Sequence, residues 1–151
     1  MIRSSLISAT LLFATSLAAC SAKTATVGEH QEIRIGRSGD GHFYADASVN
    51  GKDIRFMIDT GASEIVLTPE DARTAGIAFD PEQGRALGDG ASGIVVGQKV
   101  VLKSISLGAF AKTDTEVAVV SGAKVSLLGQ SFLAEVDEIV IHRDEMLLRS
   151  R

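Results

Sequence analysis

The chain has 151 residues, 45% of them hydrophobic, with 15 basic and 19 acidic residues and a formal charge of −4. That length and apolar content build one packed domain and exclude a disordered protein, while the lack of a Lys/Arg cluster and of Trp argues against nucleic acid as a partner. A single cysteine, Cys20, excludes an internal disulfide and a Cys-rich zinc site.

The first residues read as an address. Arg3 supplies a positive start, and Leu6 to Ala19 is an apolar, small-residue stretch too short to span a bilayer comfortably. It ends in Leu17-Ala18-Ala19-Cys20, which resembles the lipobox of bacterial lipoproteins. The resemblance implies a lipoprotein signal peptide over 1–19 and lipidation of Cys20. The protein would then sit in the bacterial cell envelope, anchored to the membrane and facing the periplasm. Ser21, where an Asp would retain the protein, points to the outer membrane. The alternative is an ordinary signal peptide cut near Ser16. Residues 20–38 are small and polar and are expected to form a flexible tether, although Glu32-Ile33-Arg34-Ile35 alternates as a strand does.

The expected domain, 39–151, is β-rich. His42 to Val49 puts Phe43, Ala45, Ala47 and Val49 on one face. Asn50-Gly51 predicts a two-residue hairpin, with Asp53 to Ile58 as the returning strand. Thr68-Pro69-Glu70-Asp71 predicts an N-cap, a proline at the first helical position and acids in the first turn, and Gly76 closes that helix. Strands are predicted at Ile94–Val96, Val100–Leu102, Ile105–Gly108 and Glu116–Val120. A short helix follows over Gln130–Ala134. Glu138–His142 and Glu145–Leu148 form a closing hairpin with Arg143-Asp144 at its turn. The expected class is all-β, a closed or partly closed barrel with one or two short helices.

Chemistry concentrates at Asp59-Thr60-Gly61. Metal-free peptide hydrolysis needs one group to activate water and another to polarise the carbonyl. Two carboxylates about 3 Å apart do both, because like charges that close share a proton. Asp59 supplies a carboxylate, and Gly61 lets the backbone bend so that amides can hold it. Thr60 can brace the loop, and Phe56-Met57-Ile58 and Ile65-Val66-Leu67 press both sides of it into the core. Ile65, Leu67 and Val95 are expected to line apolar side-chain sites.

Phe56 to Ser63, with Asp59-Thr60-Gly61-Ala62-Ser63 at its heart, is similar to the active-site loop of retropepsin-like aspartic proteases. Ala86-Leu87, Gly88-Asp89-Gly90-Ala91-Ser92-Gly93 and Ile94 to Val96 resemble that family's flap hairpin. Leu127-Leu128-Gly129 resembles its second motif, and Leu127 to Leu133 is similar to a run in the bacterial, membrane-associated or periplasmic branch. The resemblance covers about residues 40–150. It implies an acid-protease barrel with one lobe per chain, and Asp59 as the catalytic residue of an aspartic endopeptidase acting on peptides or proteins. Gln130 stands where viral members have Arg, and Glu64 follows Ser63, so the viral ion pair is not expected.

One Asp-Thr-Gly per chain implies a homodimer, with Asp59 of each copy meeting on a twofold axis and Thr60 bracing the opposite loop. No cofactor and no metal are called for. His30, His42 and His142 lack metal-ligand spacing. Gly88 to Gly93 also spells a dinucleotide-binding G-x-G-x-x-G, but Ile94-Val95-Val96-Gly97 after it starts a strand and not a helix. The alternative function is a catalytically silent lipoprotein of the same fold that binds peptides or serves assembly.

Overall fold

The computed structural model describes residues 31–90 and 93–150. Residues 1–30, with Cys20, the expected signal peptide and most of the expected tether, lie outside the described residues, as do Ala91, Ser92 and Arg151.

Ten strands and two short helices follow in chain order: β1 (Glu32–Gly36), β2 (Tyr44–Val49), β3 (Lys52–Ile58), β4 (Val66–Leu67), α1 (Pro69–Thr74), β5 (Arg85–Gly90), β6 (Gly93–Leu107), β7 (Phe110–Val120), β8 (Ser126–Leu128), α2 (Gln130–Leu133), β9 (Glu138–Ile141) and β10 (Glu145–Arg149). The main sheet runs β2-β3-β8-β4-β7-β6-β5, and a β2–β6 pairing closes the first six of these into a barrel. β5 stays outside the ring and forms, with the start of β6, a projecting hairpin. The expected all-β acid-protease barrel is the observed fold.

Alternation makes the core. Phe43, Ala45, Ala47 and Val49 are all buried, and Ile54, Phe56 and Ile58 meet them from β3. The hairpin between β2 and β3 has Asn50 at φ 50 and Gly51 at φ 79, the left-handed pair that a tight two-residue turn requires. Asn50 does more than turn the chain. Its Oδ1 accepts from the amides of Lys103 and Ser104, each at 3.1 Å, so the turn is stitched to β6.

β6 is one strand of 15 residues where the sequence predicted three. Gly97-Gln98-Lys99 and Lys103-Ser104 resemble breaks in the apolar pattern. They are positions where one long strand exchanges partners, from β5 to β7 and, at Ile105 and Ser106, to β2 as well.

The boundary expected at residue 38/39 also moves. β1 lies inside the predicted tether, yet it pairs antiparallel with β10 from Glu32↔Arg149 to Gly36↔Glu145. The reason is side-chain chemistry that composition does not show. Arg149 Nε donates to Glu32 at 2.6 Å and Arg149 Nη1 to Glu138 at 3.1 Å, tying the three strands β1, β10 and β9 together. The Arg149 bond holds the Glu32 carboxyl below its usual range.

α1 begins as read. Thr68 Oγ1 accepts from the Asp71 amide at 3.0 Å and donates to Asp71 Oδ2 at 2.9 Å. Ser126, fully buried on β8, donates to the same Oδ2 at 2.5 Å and accepts from the Thr68 amide at 3.1 Å. Helix and barrel floor are therefore locked through one hydroxyl. Ser126→Ala strands the Thr68 amide, and unfolding in urea is expected to show a loss of about 1–3 kcal/mol.

Candidate active site

β3 delivers Asp59 to the mouth of the barrel. β3 runs parallel to β8, with Phe56↔Ser126 and Ile58↔Leu128, and the Asp59 amide continues that ladder to the Leu128 carbonyl at 3.2 Å. The chain then turns sharply. The Ala62 amide bonds the Asp59 carbonyl at 3.2 Å, and the Gly61 amide donates to Asp59 Oδ1 at 2.9 Å. One carboxylate oxygen is thus fixed by its own loop. Asp59 is partly exposed, and Thr60 is exposed with its hydroxyl unbonded among the described residues.

The second motif is the floor of this loop. The Gln130 amide donates to the Ala62 carbonyl at 2.8 Å and the Ser131 amide to the Ser63 carbonyl at 3.0 Å. Ser131 Oγ accepts from the Ile65 amide at 3.1 Å, and Gln130 Nε2 donates to the Thr60 carbonyl at 2.8 Å. Gly129 is what lets the two segments touch. A Cβ there would lie 2.2 Å from the Glu64 carbonyl oxygen and 2.6 Å from that of Ala62. Leu127-Leu128-Gly129 therefore belongs to the site by packing and hydrogen bonding, with Leu128 buried and Leu127 facing the cleft.

Over the loop lies a cleft of about 510 Å³. Asp59, Gly61, Ala62, Ser63 and Glu64 form one side, Leu87, Gly88, Asp89, Gly90 and Val95 the other, with Val66, Ala118 and Leu127 below. The predicted flap is the β5–β6 hairpin. Its strands pair from Arg85↔Gly97 to Gly90↔Gly93, with a bulge at Leu87 that turns this side chain into the cleft. Its two tip residues, Ala91 and Ser92, lie outside the described residues. The G-x-G-x-x-G run opens a strand.

Two expectations need correction. Ile65 and Leu67 do not line the cleft. Both are fully buried in the core, and Val66 between them faces the cleft. The run is apolar on both sides, so only the β-strand alternation of β4 decides which residue serves which face. Val95 does line the cleft, as read.

Sequence reasoning missed Lys99. Its Nζ bonds Glu64 Oε2 and lies 3.6 Å from Glu116 Oε1, so the acid beside the loop has a partner on β6. Nothing near Lys99 in the chain marks it, because the contact joins residues 35 apart. With Gln130 bonded to Thr60, the viral Arg–acid contact is replaced by an amide–carbonyl bond and a lysine–glutamate pair. Among the described residues no group of His, Cys, Asp and Glu is arranged to hold a metal ion.

Comparison with known proteins agrees with this geometry. The family model for gag-polyprotein putative aspartyl protease matches residues 45–135. An uncharacterized protein of Rickettsia prowazekii is 38% identical over 117 residues, covering 78% of this chain and 51% of that protein. An uncharacterized protein from the cobV 5′ region of a Sinorhizobium species is 37% identical over 123 residues, covering 79% and 52%. The chain thus spans about half the length of the curated relatives it matches. The crystal structure of a retropepsin-like aspartic protease from Rickettsia conorii superposes with a TM-score of 0.65 at 35% identity, over 80% of this chain and 92% of that one. The EIAV protease bound to an inhibitor shares the fold, with a TM-score of 0.54 at 20% identity, over 66% and 91%.

The packing of Gly129 gives a direct check. Gly129→Ala forces the Ala62–Glu64 backbone away, and denaturant unfolding is expected to show a loss of about 3 kcal/mol, at the upper end for overpacking.

The barrel, the Asp59 loop on its Gly129 floor and the family match over 45–135 together place this chain in the gag-polyprotein putative aspartyl protease family, with a retropepsin-like fold.

Proposed function

We propose that this protein is an aspartic endopeptidase that works as a homodimer, each copy contributing one Asp59. The observation that carries the reading is the Asp59 carboxylate, held at Oδ1 by the Gly61 amide, at the floor of a cleft beneath a glycine-rich hairpin. A single carboxylate cannot act as acid and base at once. Two, facing each other across a twofold axis, share one proton and divide the roles.

The chemistry then balances with water alone. The ionised carboxylate takes a proton from water as the water oxygen bonds to the scissile carbonyl carbon. The protonated carboxyl gives its proton to the carbonyl oxygen. On collapse one hydroxyl of the tetrahedral species returns its proton to the ionised carboxylate as the carbonyl re-forms and the C–N bond breaks, and the other carboxyl gives its proton to the leaving amine, so the dyad ends with the one proton it began with. The exposed Thr60 hydroxyl, unbonded among the described residues, is available to the opposite loop across the same axis. An extended peptide would lie between loop and hairpin, bonding their backbones as an added strand, with apolar side chains against Val66, Leu87, Val95, Ala118 and Leu127.

The Leu17-Ala18-Ala19-Cys20 run supports lipidation at Cys20 and a periplasm-facing location on the outer membrane. Cys20→Ser is expected to move the protein from the membrane to the soluble fraction on cell fractionation. An unchanged membrane fraction would remove the lipid anchor from this reading.

Asp59→Asn tests the mechanism. Cleavage of an unstructured protein substrate is expected to fall at least about 100-fold, the scale of general acid–base catalysis, with an unchanged unfolding midpoint. Undiminished cleavage by a folded Asp59→Asn protein would refute the role of Asp59.

A further inference from the structure

The cleft carries its charge unevenly. Among the described residues that line it, Asp59, Glu64 and Asp89 are acids and none is basic. Its apolar floor ends on one side in a group of three charged residues, and the strand registers bring them together. Val66 of β4 lies beside Leu127 of β8 and Ala118 of β7, and Ala118 lies beside Lys99 of β6. Leu127–Val66–Ala118–Lys99 is therefore one row across the sheet, apolar for three positions and cationic at the fourth. Glu64 and Glu116 stand two residues before Val66 and Ala118, so the period of two along a strand brings both acids to the same face, one row on.

Lys99 serves both acids. Its Nζ bonds Glu64 Oε2 and lies 3.6 Å from Glu116 Oε1. One ammonium faces two carboxylates, so the group keeps one negative charge. Its exposed part is negative as well, since the side chains of Glu64 and Glu116 are 41% and 65% exposed and that of Lys99 only 29%. Among the described residues Glu64 Oε1 and Glu116 Oε2 have no partner. The group already seats one ammonium between two carboxylates and has acceptor oxygens left for a second cation.

We propose that Glu64 and Glu116 bind a lysine or arginine side chain of the substrate, so that the cleft selects basic peptides. The inference rests on the function proposed above and goes beyond it by naming the substrate class and the residues that choose it. A lysine or arginine side chain has an apolar stem and a charged head. The stem would lie over Val66 and Ala118, and the head would reach the free oxygens at the end of the row. An arginine fork matches two carboxylate oxygens better than a second ammonium does. An acidic side chain meets the reverse, because Lys99 is the least exposed of the three and already holds both acids. The charges of Asp59 and Asp89 act in the same sense over a longer range. In a twofold dimer each copy presents this group, so the preference falls on both sides of the scissile bond.

The experiment uses the full-length protein and a synthetic peptide library of mixed sequence, with cleavage sites read by mass spectrometry. Lys and Arg are expected to be enriched, and Asp and Glu depleted, on both sides of the cut. One well-cleaved peptide is then made in matched arginine and glutamate forms. The arginine form is expected to exceed the glutamate form in kcat/KM by at least about 10-fold, the scale of a like-charge clash at a partly exposed site. The difference is expected mainly in KM and shrinks as salt is raised. In variants the readout is the ratio of the two forms within one protein, which a general loss of activity does not move. Glu116→Lys is expected to abolish or reverse that ratio, and Glu64→Gln to lower it. Glu116→Gln, which keeps the Lys99–Glu64 bond, is expected to lower it too and keeps the proposal testable if the other variants do not fold. Asp59-dependent cleavage with no charge preference, or with a preference for acidic side chains, would overturn this inference and leave the proposed function standing. An arginine preference that survives all three substitutions would do the same. A wild type that cleaves no peptide would remove the proposed function. Fluorescence anisotropy of labelled arginine and glutamate peptides then decides the inference, and equal binding of the two overturns it.

Discussion

The close approach of the Asp59 loop to Gly129 is the constraint on which the rest depends. Two carbonyl oxygens, of Ala62 and Glu64, occupy the space where any side chain at 129 would begin. The loop can sit that low only because β8 slides in beside β3 as a parallel neighbour and α2 starts directly after it. The amides of Gln130 and Ser131, at the start of a short helix and without intrahelical partners, find the loop's carbonyls instead. The same contact thus satisfies the helix start and fixes the loop. The carboxylate inherits its position from backbone groups, which makes it insensitive to side-chain motion nearby.

A second set of ties surrounds this one. Lys99 reaches from β6 to Glu64, next to the loop, and Lys112 reaches from β7 to the Ser131 carbonyl and Glu135 on the other side of α2. Lys99 stands on the strand that carries the hairpin over the cleft, and Lys112 on the strand paired with it. Loop and hairpin are therefore parts of one framework, linked by charge at the rim and by the barrel below. These pairs are partly exposed, and each is worth little alone. The Lys99 pair holds Glu64 to one side of the cleft.

Much of this was legible in the chain. Alternation placed β2 and β3 with their buried faces, Asn50-Gly51 placed their turn, and Thr68-Pro69 placed the start of α1, because each of these signals is local. Asp59-Thr60-Gly61 and Leu127-Leu128-Gly129 were legible as a pair only through family resemblance, since 70 residues separate Thr60 from the Gln130 side chain that bonds it. What stayed hidden was non-local. The Ser126–Asp71 bond, the Lys99–Glu64 pair and the docking of β1 on β10 join residues far apart in sequence, and no periodicity announces them. The assignment of Ile65 and Leu67 to the cleft failed for a different reason. An unbroken apolar run does not say which face is which until a neighbouring strand fixes the register.

The parallel pairing of β3 with β8 has a bearing on when the protein acquires its chemistry. The contacts that seat the loop close chain segments of 58 to 70 residues. Long closures are paid in conformational entropy before they return any bonding, and such pairings form late. During synthesis the Asp59 loop emerges well before the Leu127-Leu128-Gly129 segment that shapes it. A nascent chain accordingly carries the aspartate without its seat, and the order of residues along the polypeptide itself delays the organised site until the last third of the domain has been made.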